Sequence, residues 1–357
     1  MKINDIDPGI LRRFRSGMVI PAMPLALDER RTFQETYQRA LARYYIDAGA
    51  GGIAVGVHTT QFEIRNPQIG LFERVLSFVS RCIDEWAAKR GTRILKIAGV
   101  VGKTEQAVKE AEFVRIQGYH ACLLDLSAWK CASEMEMLAH CRRVAKIMPV
   151  MGFYLQPAVG GRVLSYSFWR AFAGIDNVLG IKIAPFNRYQ TLDVVRAVCD
   201  AAMEDTITLY TGNDDNIVVD LLTEYRVNAE GGEKRARIKG GLLGHWAVWT
   251  RGAVMMLEDI HRAVGTGKMP AAILSLAAQV TDCNAAFFDA ANGFAGCIPG
   301  IHEVLRRQGL LPGTWCLNPR EVLSPGQREE IDRVYRAYPH LNDDEFVKQN
   351  LALWLGE

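Results

Sequence analysis

The chain has 357 residues, of which 49% are hydrophobic and 23% charged, so its composition is ordinary and its length allows a large core. Its formal net charge is only +2, which provides no strong field for nucleic acid or a membrane surface, and we expect neither as a partner. No apolar run approaches the ~20 residues of a membrane-spanning helix, and residues 1–15 are charged, unlike a signal peptide.

Short apolar runs alternate with longer amphipathic segments over residues 1–265. The apolar runs predict eight strands, at 18–25, 51–57, 94–101, 121–127, 150–156, 178–184, 207–212 and 240–248. The amphipathic segments predict the helices that follow them, at 32–48, 68–89, 104–117, 132–147, 168–173, 190–203, 215–225 and 252–264.

Eight strand–helix units predict an α/β fold, a (β/α)8 TIM barrel, over residues 1–265. Beyond them the pattern contains helices only, which predicts a C-terminal helical domain over residues 266–357. The main alternative is a doubly wound sheet, but no Gly-x-Gly-x-x-Gly follows a strand. Segment 226–239 is polar, charged and longer than most connections, and we interpret it as a lid, a subunit contact or a solvated insertion.

The cysteines and histidines give no sign of a metal site. The eight cysteines are scattered, and none forms a Cys-x-x-Cys pair. This spacing is typical of reduced, mostly buried thiols, and we expect a cytoplasmic protein. The seven histidines do not cluster with a cysteine, so we predict that no metal is bound.

Lys182 lies in the middle of the sixth predicted strand, in the sequence Gly-Ile-Lys-Ile-Ala. Side chains alternate between the two faces of a strand, so the lysine shares a face with Gly180 and Ala184 and projects between small neighbours. Burial without a partner lowers the pKa of an amine, and a neutral amine can attack a carbonyl carbon. The alternatives are a lysine that reaches solvent at the strand end or one that pairs with a carboxylate.

Active sites in such barrels lie at the carboxyl ends of the strands, so residues there are candidates. After strand two, His58, Thr59 and Thr60 offer hydroxyls and backbone N–H groups to a carboxylate or phosphate oxygen, although an ordinary hydroxyl-rich turn has the same sequence. On strand five, alternation places Tyr154 and Gly152 on one face, and we predict that the Tyr154 hydroxyl points into the barrel mouth as an acid or base. A core tyrosine with a satisfied hydroxyl is the alternative.

Three further strand ends carry candidate residues. Strand four has Asp125 at its end and Trp129 just beyond. Strand seven ends in Gly212 and Asn213, where the glycine allows the backbone to approach a ligand closely. His245, near the end of strand eight, is either a site residue or a half-buried packing histidine.

A lysine, a tyrosine and two threonines around one rim form the minimum set for Schiff-base chemistry. The lysine adds to a 2-oxo acid, and the threonines hold the carboxylate of that acid. The tyrosine moves protons while the carbinolamine forms and while a C–C or C–O bond breaks. The protonated imine is itself the electron sink. We therefore predict no cofactor other than this covalent imine with Lys182.

The same residues resemble the motifs of a known family, the dihydrodipicolinate synthase / N-acetylneuraminate lyase family of class I pyruvate aldolases. The family's Gly-Thr-Thr-Gly-Glu corresponds to residues 58–62, its Tyr-x-x-Pro to residues 154–157, and its Gly-x-Lys to residues 180–182. The similarity runs from about residue 17 to about residue 340, and the order and spacing of the three motifs are its specific feature.

The resemblance implies a barrel with a C-terminal helical domain, commonly in a homotetramer. It implies Lys182 as the Schiff-base residue, Tyr154 as the proton-transfer residue, and Thr59 and Thr60 as carboxylate binders.

Three positions depart from the pattern of the synthase. His58 replaces the first glycine of the threonine motif, and Trp129 stands near the place of a second relay tyrosine. The synthase arginine after strand five falls on Val159, with Arg162 three residues on. We therefore predict that His58 and Trp129 line a pocket reshaped for a bulkier or less charged partner.

These observations predict a Schiff-base-forming lyase that acts on pyruvate or another 2-oxo acid by aldol cleavage or condensation. The alternatives are a 2-keto-3-deoxy sugar acid dehydratase with the same imine, and a non-catalytic oxo-acid-binding sensor on the same fold. A metal-dependent aldolase is disfavoured because the strand ends lack a cluster of histidines and carboxylates. We expect a homo-oligomer, either a tetramer or a dimer.

Overall fold

Strands and helices alternate in the computed structural model, which describes residues 1–356. The strands are β1 Val19–Pro21, β2 Gly52–Val55, β3 Leu95–Val100, β4 Ala121–Leu124, β5 Val150–Leu155, β6 Val178–Ala184, β7 Thr208–Thr211, β8 Glu224–Ala229 and β9 Gly232–Leu243. The helices are α1 Pro8–Ser16, α2 Glu35–Ala48, α3 Phe72–Arg90, α4 Thr104–Ile116, α5 Glu134–Ala145, α6 Tyr166–Ala173, α7 Arg188–Asp200, α8 Ile217–Leu222, α9 Thr250–Thr266, α10 Ala272–Phe287, α11 Cys297–Arg307, α12 Gln327–Ala337 and α13 Asp344–Leu355.

The architecture is an eight-strand parallel barrel with alternating helices, followed by the C-terminal helices α10 to α13. The predicted fold class is therefore confirmed. By its internal contacts the chain divides into two units, one made of residues 1–18 and 95–242, the other of residues 19–94 and those from 243 onward. The separate C-terminal domain over residues 266–357 stays a prediction.

The first unit contains six neighbouring parallel strands in the order β9-β7-β6-β5-β4-β3. All seven residues of β6 are buried, as expected for a parallel strand that is covered on both faces. Helix α1 begins after Asp7, whose side chain accepts hydrogen bonds from the N–H groups of Gly9 and Ile10. Its Phe14 ring stacks on Tyr210 of β7 at 4.7 Å. This short, arginine-rich helix was not predicted.

Strands β5 and β6 change register near their start. Val150 lies opposite Val178, whereas the next residue, Met151, lies opposite Gly180. β6 therefore contains one extra residue, Leu179, at a β-bulge. As a consequence, Phe153 lies opposite Lys182 further along the pair.

In the second unit β1 and β2 run side by side, and Ala22 pairs with Ala54 in a parallel bridge just after β1. Helix α2 packs against α3 and α13, and the Tyr44 ring lies 5.4 Å from the Trp354 ring. Tyr44 also donates a hydrogen bond to the buried Asp343 carboxylate. The C-terminal helix is thus held onto a helix that follows the first strand.

Segment 226–239 is a β-hairpin rather than a loop. β8 pairs antiparallel with the first half of β9, from Glu224 opposite Arg237 to Ala229 opposite Gly232. The last barrel strand therefore begins at Gly232 instead of residue 240, and ends at Leu243. These strands were not predicted from the sequence, because both arms carry polar residues and neither face of the hairpin is strongly apolar.

Two chain-wide expectations concern membranes and thiols. Within residues 1–356, none of the helices combines the length and apolar character needed to cross a bilayer. All eight cysteines are thiols rather than halves of disulfides, and seven of them are buried.

Candidate active site

Lys182 is buried in the middle of β6, with only 8% of its surface exposed. Its Nζ lies 4.3 Å from the centre of the Phe153 ring, on the strand next to it. The predicted alternation is confirmed, since Lys182 and Ala184 both face Gly212 of the loop after β7. The side chain therefore does not reach solvent at the end of the strand.

Gly212 provides the space that the lysine side chain occupies. A Cβ atom at this position would lie 2.5 Å from the Cε of Lys182 and 2.7 Å from the Cβ of Ala184. These distances are too short for a Cβ atom, so any residue other than glycine would have to displace Lys182 and Ala184. The structure shows that Gly212 leaves the space that the Lys182 side chain occupies. The predicted contact of Gly212 with substrate stays a prediction.

Two buried carboxylates lie in the electrostatic environment of the amine. Burial lowers the pKa of Lys182 to about 8, while Asp214 and, to a smaller extent, Asp125 act in the opposite direction. Asp125 is 2% exposed and Asp214 is 6% exposed. The charges of these carboxylates thus favour the ammonium form of Lys182, yet they do not outweigh the effect of burial on its pKa.

Tyr154 lies on the opposite face of β5 from the side that meets Lys182. Its ring packs 5.2 Å from Trp169 of α6, and its hydroxyl is 3.2 Å from both the N–H and the carbonyl oxygen of Leu164. Gly152 faces the same way, since a Cβ there would lie 2.7 Å from the Phe172 ring. The prediction that the Tyr154 hydroxyl points into the barrel mouth is therefore wrong.

The β-bulge explains this error. Without the extra residue Leu179, the pairing of Val150 with Val178 would continue so that Tyr154 lay opposite Lys182. With it, Phe153 takes that place. Burial raises the pKa of Tyr154, as expected for a hydroxyl enclosed between a helix and a strand.

Asn213 joins the loop after β7 to neighbouring elements. Its Oδ1 accepts a hydrogen bond from the N–H of Phe186 at 3.0 Å, and its Nδ2 donates to Asp220 at 2.9 Å and to Thr191 at 3.2 Å. Asp220 is buried in α8 and also accepts a hydrogen bond from Thr211 at 2.8 Å. The predicted contact of Asn213 with substrate stays a prediction, because its carboxamide has protein partners.

Sequence reasoning missed Asp220, although a signal was present. It is the single carboxylate in the apolar helix Ile-Val-Val-Asp-Leu-Leu. Burial raises its pKa, and hydrogen bonds from Asn213, Thr211 and Asn216, together with Arg188, act the other way. Asp220 thus fixes the end of β7 on which Gly212 depends.

Trp129 lies among the loops that follow β3, β4 and β5. Its Nε1 donates to the carbonyl oxygen of Gly102 at 3.2 Å, and the Nζ of Lys103 lies 4.0 Å from its ring centre. Arg162 donates to the carbonyl oxygens of Trp129 at 3.0 Å and of Ala132 at 2.8 Å. The arginine thus secures the Trp129 turn, and a contact between Trp129 and substrate stays a prediction.

Thr59 and Thr60 lie in the second unit, in the turn after β2. The Thr59 hydroxyl donates to the carbonyl oxygen of Ala22, and the Thr60 hydroxyl donates to that of Met23, both at 2.7 Å. The Thr60 oxygen also accepts from the N–H of Gly56 at 2.9 Å. Both hydroxyl protons are therefore used within the protein, and carboxylate binding by these threonines stays a prediction.

The two histidines of interest also lie in the second unit. His58 is half-buried, with its ring centre 6.0 Å from that of Phe62, and its contact with substrate stays a prediction. His245 is buried beside Phe287, and Asn284 lies 3.3 Å from its Nδ1. Burial lowers the pKa of His245 to about 4, which favours the interpretation as a neutral packing histidine.

Metal-binding groups do not gather in the part of the chain that the structure describes. Among residues 1–356, no three side chains of histidine, cysteine, aspartate or glutamate are placed to share an ion.

Comparisons with known proteins agree with this geometry at the level of a family. The family model described as "Dihydrodipicolinate synthetase family" matches residues 15–224, which is more than half of the chain. A search of curated proteins found no match.

Solved structures show the same fold at low identity. Dihydrodipicolinate synthase from Oceanobacillus iheyensis is 16% identical with a TM-score of 0.72, over 93% of this chain and 99% of that one. The chloride-inhibited synthase from Acinetobacter baumannii, complexed with pyruvate, is 18% identical with a TM-score of 0.70, over 90% of this chain and 98% of that one. N-acetylneuraminate lyase from Fusobacterium nucleatum is 17% identical with a TM-score of 0.67, over 90% of this chain and 99% of that one.

Proposed function

Because this chain belongs to the dihydrodipicolinate synthetase family, we propose that it is a class I aldolase-type lyase in which Lys182 forms an imine with pyruvate or another 2-oxo acid. The observation that carries this proposal is the lysine itself. It is buried on β6, packed against a glycine that leaves room for it, and its pKa is lowered to about 8.

The chemistry follows from the state of this amine. A neutral amine attacks the C2 carbonyl carbon, and loss of water leaves an imine. In its protonated form the imine withdraws electrons from the neighbouring bond, so the C3–C4 bond can break and leave an enamine. We place aldol cleavage or condensation first.

The dehydration of a 2-keto-3-deoxy sugar acid is the alternative within the same chemistry. It begins with the same imine and differs in what leaves, because a hydroxide at C4 departs instead of an aldehyde. Product analysis separates the two reactions, since cleavage shortens the carbon chain and dehydration does not.

A non-catalytic sensor is the alternative from another class. The observation that favours it is Tyr154, whose hydroxyl is held by the Leu164 backbone on the far side of β5. A sensor binds the oxo acid without turnover. Detection of the imine followed by release of a product would exclude a non-catalytic sensor.

Borohydride reduction in the presence of a panel of 2-oxo acids tests the proposal. We expect a stable mass increase on the peptide that contains Lys182, and none in Lys182→Arg. Lys96 on β3, which is 3% exposed, is an internal control that should stay unlabelled. Wild-type protein that gains no label with any 2-oxo acid, or gains it equally on Lys96, would contradict the proposal.

The family resemblance adds assignments that remain proposals: a homo-oligomer, a cytoplasmic location, and carboxylate binding by Thr59 and Thr60. Thr59→Val tests the last of these. If the hydroxyl holds the carboxylate, the variant needs more pyruvate for half-maximal labelling and keeps the same maximal rate. Unchanged half-saturation removes the hydroxyl from the site.

A further inference from the structure

A pocket of about 370 Å³ lies in the first unit of the chain, at the end where strand β7 begins. Thr208 and Leu209 of β7 line this pocket. Gly212, against which Lys182 packs, follows the other end of the same strand. The pocket and the amine therefore lie toward opposite ends of β7, and Lys182 does not line the pocket.

Two walls of this pocket come from elements that the proposed function does not use. One wall is the hairpin of segment 226–239, together with Glu224 at the start of β8. The other wall is the end of helix α1, which contributes Arg15. The loop between α7 and β7 adds Glu204 and Asp205. Elements that surround a common cavity but take no part at Lys182 are candidates for a second binding site.

Strand β9 places three cations at alternate positions along this pocket. Arg235, Arg237 and Lys239 all line the pocket, and alternation puts them on one side of the strand. The residues between them, Ala236 and Ile238, are buried. Because like charges on one side of a strand repel each other, this arrangement favours negative charge in the pocket.

The nearby carboxylates do not balance these cations. Glu224 forms ion pairs with Arg237 at 3.2 Å and with Arg226 at 3.1 Å, so two arginines share one carboxylate. Glu204 pairs with Lys234 at 3.0 Å, and that lysine does not line the pocket. Both carboxylates therefore have cationic partners already and leave an excess of positive charge at the hairpin wall.

Arg15 and Asp205 line the pocket without an ion pair. Both side chains are exposed, and within residues 1–356 neither has a partner of opposite charge. The Arg15 guanidinium is thus available to an anion in the pocket. Asp205 is the carboxylate that opposes such an anion.

We propose that this pocket binds a small anionic molecule that carries at least two carboxylate or phosphate groups. A guanidinium group donates parallel hydrogen bonds to either kind of oxyanion. More than one negative group is expected because cations line two different walls, with Arg15 on one and Arg235, Arg237 and Lys239 on the other. Segment 226–239 then serves as one wall of a ligand site that is separate from Lys182.

Isothermal titration calorimetry with inorganic pyrophosphate and with citrate, at matched ionic strength, tests the proposal. We expect saturable binding of at least one of the two, with one molecule per chain. The comparison of their Kd values shows whether the site prefers phosphate or carboxylate groups. Failure of both to bind in a saturable way would overturn the inference.

Single substitutions on the two walls test whether the pocket is the binding site. Arg15→Gln and Lys239→Gln should each raise the Kd by about 10-fold or more, because each removes a charge-assisted contact. Asp205→Asn should lower the Kd, because it removes the opposing negative charge. A higher Kd in Asp205→Asn would show that the ligand carries a positive group there, and would overturn the anionic class.

Arg12→Gln is the matched control for the two cation variants. It removes the same charge from the same helix, at an exposed position that does not line the pocket, and should leave the Kd within about twofold of the wild type. If Arg15→Gln and Lys239→Gln change the Kd no more than Arg12→Gln does, the anion is attracted by the general surface charge. That result would overturn the inference.

Protein whose Lys182 has been reduced with pyruvate separates this site from the proposed active site. Its Kd for pyrophosphate or citrate should equal that of untreated protein, because the pocket does not include Lys182. Loss of binding after this treatment would place the anion at Lys182 and overturn the inference. A wild-type protein that is never labelled contradicts the proposed function alone, since anion binding is measured without pyruvate.

Discussion

The two faces of strands β5 and β6 differ sharply in what they contact. The face of Phe153 and Lys182 holds a buried cation and a glycine that leaves it room, and the charges of two buried carboxylates act on the cation. The face of Tyr154 lies against α6, where Trp169 and other aromatic rings fill the space. One extra residue in β6 decides which aromatic side chain belongs to which face.

A glycine makes room on each face, for a different neighbour. On the outer face, Gly152 accommodates the Phe172 ring, which serves packing. On the inner face, Gly212 accommodates the Lys182 side chain, which serves chemistry. An added methyl group should therefore cost stability on either face but reactivity on only one.

Gly212→Ala is the change with the largest expected effect on this comparison. Its Cβ would lie 2.5 Å from the Cε of Lys182, so the amine must move, and we expect labelling by pyruvate to fall by about 100-fold or more. Gly152→Ala should lower the free energy of unfolding by about 1–3 kcal/mol but keep labelling within about threefold. Gly174→Ala, whose nearest neighbour would be 3.6 Å away, is the control for both.

Equal loss of labelling in Gly212→Ala and Gly152→Ala would contradict the distinction between a reactive inner face and a packing outer face. It would mean that the amine responds to general damage to the barrel. Thermal unfolding of each variant, measured beside the labelling rate, shows which kind of loss has occurred.

Tyr154→Phe should lower the free energy of unfolding and leave the reaction of Lys182 with pyruvate nearly unchanged. The Tyr154 hydroxyl serves both the N–H and the carbonyl oxygen of Leu164, so its loss leaves two buried groups unsatisfied and should cost about 1–3 kcal/mol of unfolding free energy. Labelling of Lys182 should stay within about threefold. A loss of about 100-fold without a loss of stability would instead support the proton relay that the resemblance implies.

Phe153→Leu should have the smallest effect, on the pH dependence alone. The ring beneath Nζ favours the ammonium form by about 0.5–1 kcal/mol, so its removal should lower the pKa of Lys182 by roughly half a unit. The acidic limb of the labelling profile then moves to lower pH by that amount. A limb that moves to higher pH would show that the ring does not stabilise the cation.

The barrel and its lysine could be predicted from the sequence, for a physical reason. Strands covered on both faces are continuously apolar, so they stand out, and a lone charge such as Lys182 within one of them stands out as well. Counting the apolar runs along the chain then places Lys182 on the sixth strand.

The partners of the lysine could not be predicted in the same way. The Tyr-x-x-Pro spacing at the end of β5 matches the family motif, but it does not show which face of the strand Tyr154 occupies relative to Lys182. That depends on the bulge at Leu179, because a shift of one residue in register moves a side chain to the other face. The role of Gly212 is a matter of contact between strands, which no local pattern records. The hairpin of β8 and β9 was missed because alternation of charged and small residues resembles a loop.

The pH dependence of labelling at Lys182 tests the central claim most directly, namely that burial makes this amine a nucleophile. The protonated amine is inert, so the labelling rate of the wild-type protein should rise with pH and level off above a pKa of about 8. The label should be found on the Lys182 peptide throughout. A rate that keeps rising beyond about pH 10, as for an ordinary exposed lysine, would contradict the account.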